Sequence, residues 1–287
     1  MKLGFLTGKI DDIAKAKRLG FDAIELSTGA FGRAEDRVLD AEKIERAAQL
    51  CKENDIEITA LAAYSAAFSS PQENNVLPAY LLAFEAAEQL GVRVIASMSG
   101  FDSSQKWDAN LQLWADRFGP VAEEAERRGM CIAFENWMSV HGRLPHKPIN
   151  FGGCPDLWDA WFKLVPSKAL GIEFDPSHLY WQGIDHIRAL KEYKDRVYHV
   201  HAKDTEMMPE ARYRGGITGD IFRFRIPGYG EINWTHFIAA LDEIGYEGGL
   251  AIEHEDPIYE GERFDEGLER GWQTLHPLLH PNSKQNQ

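Results

Sequence analysis

Cysteine is scarce, with Cys51, Cys131 and Cys154 the only three in 287 residues. The number is odd and no two stand at close metal-type spacing, so a disulfide framework or a cysteine-built zinc knuckle is not expected. Two of the three fall in apolar helix or strand patterns, as reduced thiols of a cytoplasmic protein do. Long apolar runs are also missing. Nothing approaches the ~20 residues needed to span a bilayer, and Met1–Lys9 is too short an apolar stretch for a secretory leader. A membrane partner is therefore not expected. Basic residues are outnumbered, 31 Lys and Arg against 45 Asp and Glu, for a net charge of −14 and a pI near 5.2. Phosphate backbones are bound mainly by Lys and Arg displacing counterions, so such a chain is not expected to hold nucleic acid. There is no glycine-rich phosphate cradle, no linker and no low-complexity segment.

What the chain does have is a hydrophobic fraction of 44% and one repeated pattern. An amphipathic helical stretch ends in glycine, and a short apolar run follows. Leu19-Gly20-Phe21 leads into Ala23–Leu26, Leu90-Gly91 into Val92–Ser97, Arg128-Gly129 into Met130–Phe134, and Ile244-Gly245 into Gly249–Ile252. Glycine ends a helix in the left-handed conformation without a Cβ clash. Eight apolar runs qualify as strands: Leu3–Leu6, Ala23–Leu26, Ile56–Ala62, Val92–Ser97, Cys131–Glu135, Leu170–Asp175, Val197–Lys203 and Gly249–Glu253. They are nearly continuous, as parallel strands covered on both faces should be. Helical stripes lie between them, such as Ile44, Ala47, Ala48 and Cys51 behind an Asp40 cap, and Ile238, Leu241 and Ile244.

Regular alternation of this kind predicts an α/β fold, a single-domain (β/α)8 TIM barrel over residues 1–281 with a polar tail at 282–287. A doubly wound open sheet is the competing arrangement, but no Gly-x-Gly-x-x-Gly follows the first strand. Long connections, Tyr64–Val76, Asn136–Gly153 and Thr205–Gly230, follow the carboxyl ends of strands. In a barrel those loops build the active site.

Four strands in the second half end in potential metal ligands: Glu135, Asp175, His201 and Glu253. Each belongs to a different strand–helix unit, so a closed barrel would bring them to one mouth. An acidic residue at a strand end is by itself more often a cap or a solvated charge, and the case rests on four in consecutive units. Three carboxylates and an imidazole form a hard, oxygen-rich set suited to Mn, Mg or Co, with Zn also accommodated.

The segments Phe134-Glu135-Asn136, Phe174-Asp175-Pro176-Ser177-His178, His199-Val200-His201-Ala202-Lys203-Asp204, Pro227-Gly228-Tyr229-Gly230 and Ile252-Glu253-His254-Glu255-Asp256 resemble the xylose isomerase-like sugar phosphate isomerase/epimerase family. Its members include ketose 3-epimerases and inosose isomerases and dehydratases. The resemblance runs from Leu3 to about Leu279 and implies a TIM barrel. It also implies a divalent metal ion on Glu135, Asp175, His201 and Glu253. Glu135 and Glu253 would be the general acid and base across a sugar or polyol substrate, with a metal-stabilised cis-enediolate between the two proton transfers. By the same likeness His178 would hydrogen-bond a substrate oxygen or a metal-bound carboxylate, and Arg225, in preference to Arg223, would contact substrate. Lys203 and Asp204 would reach the pocket or form a surface ion pair. Trp137 and Trp181 would stack on sugar C–H groups or serve as packing. His199 is read as structural, turned toward the helices. His254, Glu255 and Asp256 depart from the ketose epimerases and point to a larger or oxidised sugar.

Three other readings use the same scaffold. A lyase or dehydratase would expel a β-hydroxyl or a glycosidic oxygen from the same intermediate. An endonuclease IV-like nuclease would need more histidine ligands and a basic groove. A non-catalytic barrel would use the strand-end acids as caps. A homo-oligomer is compatible with the aromatics near the loops.

Overall fold

The computed structural model describes residues 1–32, 38–67, 76–138, 150, 152–216 and 220–281. The expected polar tail at 282–287 and parts of the three long connections lie outside them. In chain order the elements are β1 (Lys2–Thr7), α1 (Asp12–Leu19), β2 (Ala23–Ser27), α2 (Ala41–Asn54), β3 (Glu57–Ala62), α3 (Val76–Leu90), β4 (Val94–Ser97), α4 (Trp107–Arg128), β5 (Cys131–Glu135), α5 (Pro155–Leu164) and β6 (Leu170–Phe174). Then come α6 (Pro176–Gln182), α7 (His186–Glu192), β7 (Val197–Ala202), β8 (Asp204–Met207), α8 (Pro209–Gly215), β9 (Phe222–Arg225), α9 (Trp234–Glu243), β10 (Gly249–Ile252) and α10 (Phe264–Leu279).

Strands β1 to β7 and β10 pair in parallel and close into a barrel through β10 on β1. These are the eight runs expected from sequence. The helix ends follow the predicted chemistry: Gly20 takes φ 85° after α1, and the Asp40 carboxylate accepts from the backbone N–H groups of Glu42 and Lys43 at the start of α2. Among the described residues, no helix is long and apolar enough to cross a membrane.

The sheet is wrapped by aromatic and aliphatic side chains from the helices. Phe134, fully buried on β5, packs 4.7 Å from Phe118 and 5.5 Å from both Trp114 and Trp161, which stack on each other at 5.1 Å. Phe174 on β6 lies 6.2 Å from Trp158 and 6.1 Å from Phe237. Because successive residues of a strand point to opposite faces, anchoring Phe134 and Phe174 outward turns Glu135, Glu173 and Asp175 inward.

The inside of the barrel departs from the usual filling of branched aliphatics. Glu25, Glu173, His199 and His201 are all fully buried there, next to a small apolar cluster of Ala60, Ala62 and Ala96. His199 therefore does not face the helices as expected. It stands two residues from His201 on one strand, and residues two apart share a face. Gly249 borders this polar layer closely, since a Cβ there would fall 2.4 Å from Thr59 Oγ1 and 2.8 Å from His199 Nε2.

The connection after β7 holds an element not foreseen. Strands β8 and β9 pair as an antiparallel ribbon, Asp204 opposite Arg225 and Met207 opposite Phe222.

Candidate active site

Each of the four predicted ligands sits at or just past the carboxyl end of a barrel strand: Glu135 on β5, Asp175 after β6, His201 on β7 and Glu253 after β10. The structure brings them together. One potential ligand atom from each lies within 4.8 Å of the others. His201 Nδ1 is 3.1 Å from Glu253 Oε2 and 3.5 Å from Glu135 Oε1. Neither contact is aligned as a hydrogen bond. Among the described residues, Asp175 Oδ2 and His201 Nδ1 are buried atoms without a hydrogen-bond partner. They are two of eleven such atoms among the described residues, and Asp175 Oδ2 also has the Lys203 ammonium 3.3 Å away, so what sets them apart is that they converge with Glu135 and Glu253. Four ligand atoms converging in this way could hold a divalent cation, and the donor set is hard enough for Mg, Mn or Co and compatible with Zn.

Positive and hydrogen-donating groups ring the carboxylates. His178 Nε2 lies 3.2 Å from Glu135 Oε1 and 3.5 Å from Asp175 Oδ2. The Lys203 ammonium, buried beneath the mouth, is 2.5 Å from Glu253, 3.0 Å from Glu255, 3.3 Å from Asp175 and 4.0 Å from Glu135. It also lies 4.3 Å from the centre of the Phe224 ring. Burial alone would raise the Glu135 carboxyl, but His178, His201 and Lys203 outweigh it and hold that group well below the usual range. Glu253 is lowered against its burial chiefly by Lys203. Burial works against the charge on Lys203 too, yet Glu253, Glu255, Asp175 and Glu135 keep it firmly protonated.

The other residues singled out from sequence fall differently. His178 and Lys203 join the cluster. Trp137 is half-buried just after Glu135, and its carbonyl accepts from Asn150 Nδ2 at 2.7 Å. Arg225 is engaged in ion pairs, with Asp256 at 2.8 Å and with Glu206. Arg223 holds Glu206 through two nitrogens. Asp204 neither lines the pocket nor pairs with Lys203 at the surface. Its carboxylate accepts from Thr205 N, Gly228 N, Ile232 N and Trp234 Nε1 and so ties down the connection after β7. Trp181 stacks on Phe222 at 4.7 Å and is a packing residue between α6 and the ribbon.

Sequence reasoning missed Phe224, which sits edge-on to His178 at 5.2 Å and under the Lys203 ammonium. The alternating Phe222-Arg223-Phe224-Arg225 was its signal. It also missed Glu25, Glu173 and Tyr64. The Tyr64 hydroxyl lies 3.0 Å from Glu25 Oε1, 2.8 Å from Glu173 Oε2 and 3.3 Å from His201 Nε2.

A parallel eightfold barrel with a buried acid–imidazole cluster at the carboxyl ends of its strands defines a class of barrel with a candidate cation site at its mouth. Within that class the chain belongs to the xylose isomerase-like TIM barrel family, whose profile matches residues 13–274. The chain is 26% identical to the uncharacterised protein YfiH of Bacillus subtilis (strain 168) over 89% of its length and 93% of that protein's. It is 26% identical to inosose dehydratase of Geobacillus thermodenitrificans (strain NG80-2), over 54% of this chain and 49% of that one. Among solved structures, the IolI protein with a bound zinc atom superimposes with a TM-score of 0.71 at 21% identity, covering 98% of this chain and 97% of that one. D-psicose 3-epimerase, determined in the presence of D-fructose, gives 0.69 at 18%, covering 96% and 99%. At these identities the structural likenesses speak for the fold.

Proposed function

We propose that the protein is a divalent-metal-dependent isomerase or epimerase that moves a proton on a carbon next to a carbonyl of a sugar or polyol. The observation that supports this reading is the convergence of Glu135, Asp175, His201 and Glu253, one potential ligand atom of each lying within 4.8 Å of the others. Glu135, Asp175, His201 and Glu253 would hold the cation. When bound, it supplies Lewis-acid stabilisation of the negative charge that develops on substrate oxygens. The protein's own residues handle the proton. Glu135 and Glu253 come from strands on different sides of β6 and β7, so one can take the proton from one face and the other return it to the opposite face. Roles swap with the direction of reaction. Lys203, hydrogen-bonded to Glu253 at 2.5 Å, places a proton donor beside that carboxylate, and His178 does the same for Glu135. Phe224 packs beside both donors.

A second reading has its own support. Elimination of a β-hydroxyl needs its leaving oxygen stabilised, and the buried Lys203 ammonium, held charged by the carboxylates around it, is a hydrogen-bond donor for that oxygen. The likeness to inosose dehydratase points the same way. One experiment separates the two. The metal-loaded protein is incubated with ketoses, inosose and 3-keto-glycosides in deuterated water, and products are followed by NMR and mass spectrometry. Deuterium at an inverted or newly formed carbinol carbon marks the isomerase or epimerase. Loss of water or aglycone marks the lyase. Absence of both solvent exchange and elimination with all of these substrates would refute carbon deprotonation in either form.

A further inference from the structure

His201 belongs to two clusters at once, and they differ in how well their atoms are matched. On the mouth side its Nδ1 has no aligned partner, and neither does Asp175 Oδ2. On the inner side every polar atom is engaged. His201 Nε2 lies 2.8 Å from Glu25 Oε2, and Tyr64 bridges the other oxygen of Glu25 to Glu173. Glu173 Oε1 meets His199 Nδ1 at 2.9 Å, and His199 Nε2 meets Thr59 Oγ1 at 3.1 Å. Glu25, Glu173, His199 and His201 are fully buried, so water does not compete for these bonds.

We propose that Glu25 is a positioning residue that accepts the Nε2–H of His201 and thereby leaves the Nδ1 lone pair aimed at the mouth cluster. A neutral imidazole has one N–H and one acceptor nitrogen, and the hydrogen bond at one nitrogen decides the role of the other. A carboxylate behind a ligating histidine fixes its tautomer and ring orientation and raises its basicity. Tyr64 holds Glu25 by the oxygen that His201 does not use, so the carboxylate is itself oriented. The inner group of Glu25, Glu173, His199 and His201 has the residue types of a metal site, but its atoms already have hydrogen-bonding neighbours in one another, in Tyr64 and in Thr59. That arrangement assigns it support for His201 and leaves the cation to the mouth. The inference rests on reading the mouth cluster as the cation site.

The test has two arms on the full-length protein. In the first, histidine is labelled with 15N and long-range proton–nitrogen correlations are recorded with zinc bound, the His201 signals being assigned from a His201→Gln sample. We expect zinc on Nδ1 and the proton on Nε2. Zinc on Nε2, or a proton on Nδ1, overturns the proposal. In the second, zinc and cobalt affinities are measured by competition with a chromophoric chelator for wild type, Glu25→Gln and Tyr64→Phe. We expect one equivalent bound and a loss of about 10- to 100-fold in Glu25→Gln, with a smaller loss in Tyr64→Phe. Unchanged affinity in Glu25→Gln, or two equivalents bound by wild type, overturns it. If Glu25→Gln does not fold, the wild-type spectrum decides alone. Absence of binding by wild type sinks the metal reading itself and this role with it, a result distinct from binding that ignores Glu25.

Discussion

Glu135 and Glu253 are chemically identical side chains held by different partners, an imidazole for the first and an ammonium for the second. Replacing either by glutamine removes a proton acceptor while keeping shape, so turnover should fall by roughly 10²- to 10⁴-fold or more. The far-ultraviolet dichroism and melting profile should remain those of a folded barrel. Retained activity in either variant would remove the acid–base assignment. Cys51 gives a test of burial at a distance from the site. Desolvation pushes its thiol up to about 11, so at pH 8 it is almost wholly protonated. Alkylation of Cys51 at that pH should be on the order of a hundredfold slower than that of an unhindered thiol, since the thiolate is the nucleophile. Peptide mass mapping over time would read this. At this scale the sequence was legible wherever a charge closes an apolar run, as at Glu135, Asp175 and Glu253. Glu25 and Glu173 were hidden because each stands inside its strand with apolar neighbours on both sides, like a stray charge on a solvent face. His199 was misplaced by its direction: periodicity puts it on the face of His201.

Strand β5 shows how an element holds a functional group from behind. Phe134→Ala should cost about 3–5 kcal/mol in urea unfolding, because its aromatic cage is fully buried and cannot collapse onto a methyl group. A loss below 1 kcal/mol would show that the cage is not what fixes β5. The end of α4 tests exposed charge. Glu124 accepts from Arg127 and Arg128, and those hydrogen bonds hold its carboxyl down to about 2. A depressed folded-state value means the stabilisation is complete above the unfolded value, near 4.3, and is lost as pH falls toward 2. Glu124→Gln should therefore melt slightly earlier than wild type at pH 7, and the difference should vanish at the acid end. A gap that widens on acidification would contradict this. The eight barrel strands and their glycine stops could be read from apolar runs alone, since parallel strands buried on both faces have little else in them. Ribbon β8–β9 could not. Its four-residue strands lie inside a long polar connection, and its ties, such as Arg225 to Asp256, join residues remote in sequence.

For the whole molecule, holding a cation at the proposed site would couple the strand ends to global stability. At a cation concentration 100 times the Kd, binding to the folded form alone adds about 2.7 kcal/mol. At roughly 2–4 °C per kcal/mol for a chain of this class, the melting temperature should rise by roughly 5–10 °C. Dialysis against a chelator should reverse the shift, and Asp175→Asn should shrink it. A melting curve indifferent to Mn, Co and Zn would argue for the non-catalytic barrel. Fold class was the most legible property, because it depends on repetition along the entire chain, whereas ion pairs depend on single registers. The ribbon carries a consequence of its own. Phe224 and Phe222 reach His178 and Trp181 from a two-stranded flap that shares no ladder with the barrel. A change at Phe224 would therefore be felt first at His178 and Lys203, while the barrel ladder that carries Glu135 and His201 stays as it is.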